Sequence, residues 1–264
     1  MSQSESYNMT FAANSGNPGS INTETDALTA GWTSITGTVG AINADQWSSN
    51  VTIPFAFNFF GTAVTSFKVS QGGVLTFTTG AVSLPGANTA LPASGLPDLS
   101  IAMMWDDFTN TPPTGSGDQV YYKTFGTAPN RQLWVRYFSF EMGNPTVSFV
   151  YMSAVLEETS NKIYVVDQYN ASALGTTSVG VQYNGSFAVQ DAASPSITHG
   201  SPTNGTSIAD NDVWTFTPFS LSGCIDPPTP GTAEILPLTP VCPGTMVGFN
   251  LLEIVLDWVK PMSG

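Results

Sequence analysis

The residues able to do chemistry are few, and their spacing excludes most of it. The chain has one histidine, His199, and two cysteines, Cys224 and Cys242. A nucleophilic Ser-His-Asp relay needs an imidazole held beside a serine. His199 instead sits in the turn-rich stretch 194–204, near Gly200 and Pro202, and no Gly-x-Ser-x-Gly elbow occurs. It reads as an exposed loop residue. Zinc takes three or four nitrogen or sulfur ligands in a structural site, which one histidine and two distant cysteines do not supply. Gly72-Gly73 lies at a strand turn with no Gly-Lys-Ser/Thr or helix after it, so it is no phosphate loop.

Carboxylates offer more. Hard oxygen ligands suit Ca²⁺, and Asp106 and Asp107 follow Trp105, with Asp118 returning after a glycine-containing loop. Asp210-Asn211-Asp212 is a second acidic run. Neither matches a twelve-residue EF-hand loop, and the competing reading is that these side chains cap turns by accepting backbone N–H bonds. A glycosidase needs two carboxyls across one cleft. Glu141, Glu157 and Glu158 are the glutamates of the strand-rich region, but Glu157 and Glu158 point to opposite sides of an extended chain. Glycan binding asks only for an aromatic platform with polar groups around it. Trp32, Trp105, Trp134, Tyr121, Tyr122 and Tyr137 read as core. Trp47 is the exception, because the loop Asp45-Gln46-Trp47-Ser48-Ser49-Asn50 is too polar to bury an indole. Trp47, Asp45 and Asn50 are therefore the candidate ligand-binding residues, and Asp106, Asp107 and Asp118 the candidate metal ligands. No cofactor is expected beyond a possible Ca²⁺.

The background on which these residues sit is unusual. Only 9% of the residues are charged, 6 Lys plus Arg against 19 Asp plus Glu, for a net charge of -13, whereas soluble domains average about 25% charged. Nucleic acid is excluded as a partner, since phosphate binding needs clustered cations. A polar but uncharged surface points to an extracellular protein whose partner is neutral, cationic or bridged by Ca²⁺; a glycan or another surface protein is expected. No apolar run approaches the roughly 20 residues that span a bilayer. The first residues lack the basic and apolar regions of a signal peptide, and the expectation is that one has been removed.

The elements that must position these residues are strands. Ile53, Phe55, Phe57 and Phe59 alternate with Pro54, Ala56 and Asn58, which reads as a half-buried strand at the centre of the fold. Further strands are expected over 64–69, 73–77, 119–125, 132–140, 146–156, 162–169, 178–183 and 212–217, and Tyr7, Met9 and Phe11 alternate as an edge strand would. Turn residues separate them, Asn184-Gly185 being the strongest hairpin signal. Connections this short give antiparallel pairing, so the fold class is all-β, an antiparallel, jelly-roll-like β-sandwich with a short C-terminal appendage. The stretch 80–100 carries Leu84-Pro85, Leu91-Pro92 and Leu96-Pro97 and is expected to be pinned against the surface. The sandwich is assigned to 1–222, and a proline-rich linker to 223–232.

Several of these segments, taken in order, resemble secreted bacterial surface proteins of the type 9 secretion kind, whose N-terminal domain is a nidogen-like or adhesin-like β-sandwich. They are Ile53-Pro54-Phe55-Ala56-Phe57-Asn58-Phe59-Phe60-Gly61, Thr65 to Ser70, Gly73-Val74-Leu75-Thr76-Phe77, Ile101-Ala102-Met103-Met104-Trp105-Asp106-Asp107, Val120 to Arg131 and Glu158 to Ile163. The resemblance covers roughly residues 5 to 218 and implies a fold and a location, not a catalytic site. Residues 228–244 also resemble the opening of an immunoglobulin-like repeat, so 233–264 is taken as an incomplete unit of that kind. It departs from the pattern where Leu251, Ile254, Val255 and Trp258 fall at helical spacing. A truncated or frameshifted end and a short docking helix both account for this. In an oxidising compartment Cys224 and Cys242 either pair with each other, closing a loop worth about 3 kcal/mol, or pair with cysteines beyond this chain. The expected function is a non-catalytic, secreted cell-surface or adhesion-type module that presents loops for interaction. A carbohydrate-binding module comes second, and a polysaccharide-acting hydrolase third.

Overall fold

The computed structural model describes residues 3–13, 30–35, 46–80, 82–106, 108, 119–140, 150–170, 176–198 and 212–221. The chain divides into two compact units, Met1–Ser220 and Leu221–Gly264. The linker, the incomplete repeat with its candidate helix, and both cysteines lie outside the described residues, as does His199.

The first unit is built from strands β1 (Glu5–Ala12), β2 (Thr33–Ser34), β3 (Val51–Phe59), β4 (Thr62–Val69), β5 (Val74–Thr76), β6 (Ser100–Trp105), β7 (Gln119–Phe125), β8 (Gln132–Phe140), β9 (Val150–Glu157), β10 (Ile163–Asn170), β11 (Thr176–Asn184), β12 (Phe187–Gln190), β13 (Ile197–Thr198) and β14 (Asp212–Ser220). No helix occurs among the described residues. One sheet runs β1-β14-β10-β9-β8-β7-β2; the other runs β12-β11-β6-β5-β4-β3, with β13 on β11. Pairing is antiparallel throughout. The fold is an all-β sandwich of two antiparallel sheets.

Strand β3 shows how alternation becomes a core. Val51, Ile53, Phe55, Phe57 and Phe59 are buried while Thr52, Pro54 and Ala56 are exposed. The buried set meets Leu133, Val135 and Tyr137 of β8, Met152, Ala154 and Leu156 of β9, and Trp214 and Phe216 of β14 in one cluster. Each buried phenyl contributes about 1.5–3 kcal/mol. The reading of β3 as the centre of the fold needs correction: its side chains fill the core, but the strand lies at the edge of its sheet. Pro54 explains this, because a residue without an N–H is confined to edges and bulges. A second edge group is capped from outside the sheet, the Asn58 N–H donating to Asn161 Oδ1 at 2.8 Å.

Strand β6, unassigned by alternation, is buried at all six positions. It is an interior strand with both faces covered. Ile101 and Met103 belong to the main core, whereas Ala102 and Trp105 join a second cluster with Val74, Leu91, Ala93 and Leu96. The last three come from the segment 82–100, a strap laid over the outer face of the sheet. Glutamines hold it there: Gln182 Oε1 accepts from Ala93 N at 2.7 Å, its Nε2 donates to Ala93 O at 3.0 Å, and Gln190 Oε1 accepts from Leu91 N at 2.7 Å. Asn88 Nδ2 reaches the carbonyls of Thr176 and Pro195, and Trp105 Nε1 that of Gly86. Capping its backbone groups in this way is what lets an irregular segment lie against apolar surface. The hairpin predicted at Asn184-Gly185 joins β11 to β12, with Ser186 N donating to Asn184 Oδ1 at 2.9 Å.

Candidate functional site

Two of the residues singled out by sequence, Trp47 and Asp106, converge on one place, the turn Ser70–Gly73 between β4 and β5. Trp47 reaches it from one side through a bridge to Ser70. Its neighbour Ser48 is stitched to the end of β4, Ser48 N donating to Val69 O and Ser48 Oγ accepting from Val69 N, both at 2.9 Å. The indole is half-buried rather than bare. Its own loop is polar, as expected, but the strap supplies the cover: Trp47 packs against the Leu91 cluster and its Nε1 donates to Ser83 O at 3.3 Å. Lys68 Nζ stands 5.1 Å from the ring centroid and also donates to Gly80 O. Burial of that ammonium pushes its pKa below the ordinary lysine value. Asn50 is exposed just ahead of β3, and Asp45 lies outside the described residues.

Asp106 reaches the turn from the other side, at the end of β6, where its N–H donates to Gly72 O at 3.1 Å. The approach is close because the turn has no side chains at its tip: a Cβ on Gly72 would stand 2.6 Å from Asp106 O. Gly73 has φ +78°, and a Cβ there would meet Met152 Cε and Phe108 Cε2 at 2.9 Å and Met103 O at 3.0 Å. Gln71, fully inside, donates from Nε2 to Phe108 O at 2.8 Å. The buried Tyr137 hydroxyl donates to Ser70 O, and its burial drives the phenol well above its ordinary pKa. Asp107 and Asp118 lie outside the described residues, so the predicted aspartate set is represented by Asp106. Among the described residues no group of three or more His, Cys, Asp or Glu is placed to hold a metal ion.

The glutamates occupy a different end, the β9–β10 turn, and both are engaged. Glu157 accepts from Ser160 Oγ at 2.6 Å, Gln132 Nε2 at 3.0 Å and Tyr164 Oη at 3.1 Å. Burial first, and then the neighbouring Glu157 charge, raise the Tyr164 pKa. Glu158 takes a two-pronged bond from Arg131, Nε at 2.8 Å and Nη2 at 2.6 Å, plus the Arg131 N–H at 3.1 Å. This pairing holds the Glu158 carboxyl below its usual range and raises Arg131. Asp212 opens β14 opposite Asp167, while Glu141, Asp210 and Asn211 lie outside the described residues. Sequence reasoning passed over Ser70, Gln71 and Lys68. The paired glycines at 72 and 73 were the available signal, since such a pair marks a close backbone approach.

Geometry of this kind defines a class: a two-sheet β-sandwich whose polar loop residues gather at the ends of the strands. A family model described as NIDO related matches residues 22–218, and the chain belongs to that family. No curated protein and no solved structure matches it. Among the described residues no helix is long and apolar enough to cross a membrane.

Proposed function

We propose that this chain is a non-catalytic extracellular module of the adhesion type, displayed on a bacterial cell surface through the type 9 route and followed by the start of an immunoglobulin-like repeat at 233–264. Family membership supports the location. The observation that carries the non-catalytic part is the state of the glutamates. A general acid or nucleophile must face substrate, but Glu158 is locked on Arg131 and Glu157 takes three donors from its own scaffold. These carboxylates act as turn latches. The strand-end loop 46–50, where Trp47 is half-buried and Asn50 exposed, is the surface presented to a partner, either another surface protein or a glycan.

The test immobilises the full chain on beads and passes over it a panel of surface proteins and soluble polysaccharides, with reducing-sugar release measured in parallel. The expected result is saturable retention of a protein partner and no sugar release. Retention of a polysaccharide that is lost in Trp47→Ala would replace this reading with a carbohydrate-binding module. Sugar release would replace it with a hydrolase.

A further inference from the structure

Two open sheets have four edges, and three of the four are blunted. An edge strand presents unpaired N–H and C=O groups to any other strand, and folded chains guard against this with short edges, proline, charge or bulges. Strand β2 has two residues and β12 four. Strand β3 carries Pro54, and its register against β4 breaks between Thr52 and Phe57. Strand β1 is guarded only at its start, by Glu5. Its eight residues pair with β14 in unbroken register, from Glu5 opposite Ser220 to Ala12 opposite Val213, and no described strand lies on its other side. From Ser6 to Ala12 it has neither a charge nor a proline. Its second half is open to solvent, with Asn8, Thr10, Phe11 and Ala12 exposed. Phe11 is the exposed large apolar side chain among the described residues, at 48%, although its ring meets Trp214 at 5.0 Å.

We propose that the free edge of β1 pairs antiparallel with the same edge of a second copy of this chain, joining two sandwiches across a two-fold axis at Met9. The sequence of the strand selects this occupant. A two-fold at Met9 sets Ser6 opposite Ala12, Tyr7 opposite Phe11, Asn8 opposite Thr10 and Met9 opposite itself. Small meets small, aromatic meets aromatic and polar meets polar, which is the self-complementarity that an isologous contact needs and the kind of cross-strand pair that stabilises a sheet. Glu5 falls outside the paired stretch, so two chains of net charge -13 meet along a strand segment that carries no charge. Tyr7 and Met9 pack on the main core and Phe11 on Trp214. Pairing therefore continues one core across the axis and covers Phe11. The inference stands whether or not the adhesion reading does.

Sedimentation velocity on the full chain should show a monomer-dimer equilibrium, scanned up to about 1 mM because one strand a side makes a small, weak interface. Two double variants at exposed positions then test the register. Asn8→Glu with Thr10→Glu sets like charges opposite each other twice and should weaken the dimer by about tenfold. Asn8→Glu with Thr10→Lys sets opposite charges in the same places and should hold the dimer at wild-type strength or better. If either variant melts early, hydrogen exchange of the wild-type chain decides, with the β1 amides expected to gain protection as concentration rises and those of β3 to stay unchanged. A wild-type chain still monomeric at about 1 mM would overturn the proposal, whatever foreign strand the edge then takes. So would a dimer on which the two variants act alike, or one that protects another edge.

Discussion

Two turns of this sandwich solve the same problem in opposite ways. At the β9–β10 turn both carboxylates meet partners from the chain itself: Glu158 holds Arg131 and Glu157 collects Ser160, Gln132 and Tyr164, while Asn161 caps Asn58. At the β4–β5 turn the chain supplies oxygens and leaves two of them buried without donors. The first turn is complete as folded, while the second keeps two buried oxygens unmet. Acidity alone does not tell the two apart, since the glutamates are the more acidic pair and the less available one. What separates them is whether the buried polar groups find partners.

The largest way to break the contrast is at Gly73. Gly73→Ala forces a left-handed residue to carry a Cβ against Met152, Phe108 and Met103 O, and should cost about 3 kcal/mol in chemical denaturation. Alanine at Gly185, where a Cβ meets open space, should cost far less. Next comes Tyr137→Phe, which removes the donor to Ser70 O and adds a further unmet acceptor to the turn; the expected loss is about 2 kcal/mol. A fully satisfied turn would lose less.

The smallest effect is at the other turn and depends on pH. Pairing with Arg131 depresses the folded-state pKa of Glu158, so the stability it adds is fully present above the unfolded carboxyl value of about 4.3 and is lost as pH falls through the lower folded value. Glu158→Gln should lower stability at neutral pH and flatten the acid limb of the stability profile. An acid limb unchanged in that variant would remove the latch role of Glu158.

Much of the scaffold was legible in the sequence, for physical reasons that also mark where legibility ends. The alternation of β3 survives because one face meets the core and the other meets solvent, and Pro54 within it already carried the edge position. Strand β6 showed no alternation because the strap covers its second face, and that cover is supplied by residues distant in sequence. The Leu-Pro steps did indicate that 82–100 is packed down, but not that Gln182 and Gln190 hold it. Trp47 was placed in a polar loop correctly, and its cover again came from the strap. Gln71 was invisible: a glutamine between a serine and two glycines reads as an ordinary turn, and only its burial and its unmet oxygen single it out.

The most direct test measures hydrogen exchange at the backbone amides of the two turns in the wild-type chain and in Tyr137→Phe. The account predicts that protection falls at Ser70 and Asp106, whose N–H groups bond within the β4–β5 turn, while the amides of Glu158 and Ser160 keep theirs. Equal loss at both turns, or none at Ser70 and Asp106, would contradict it.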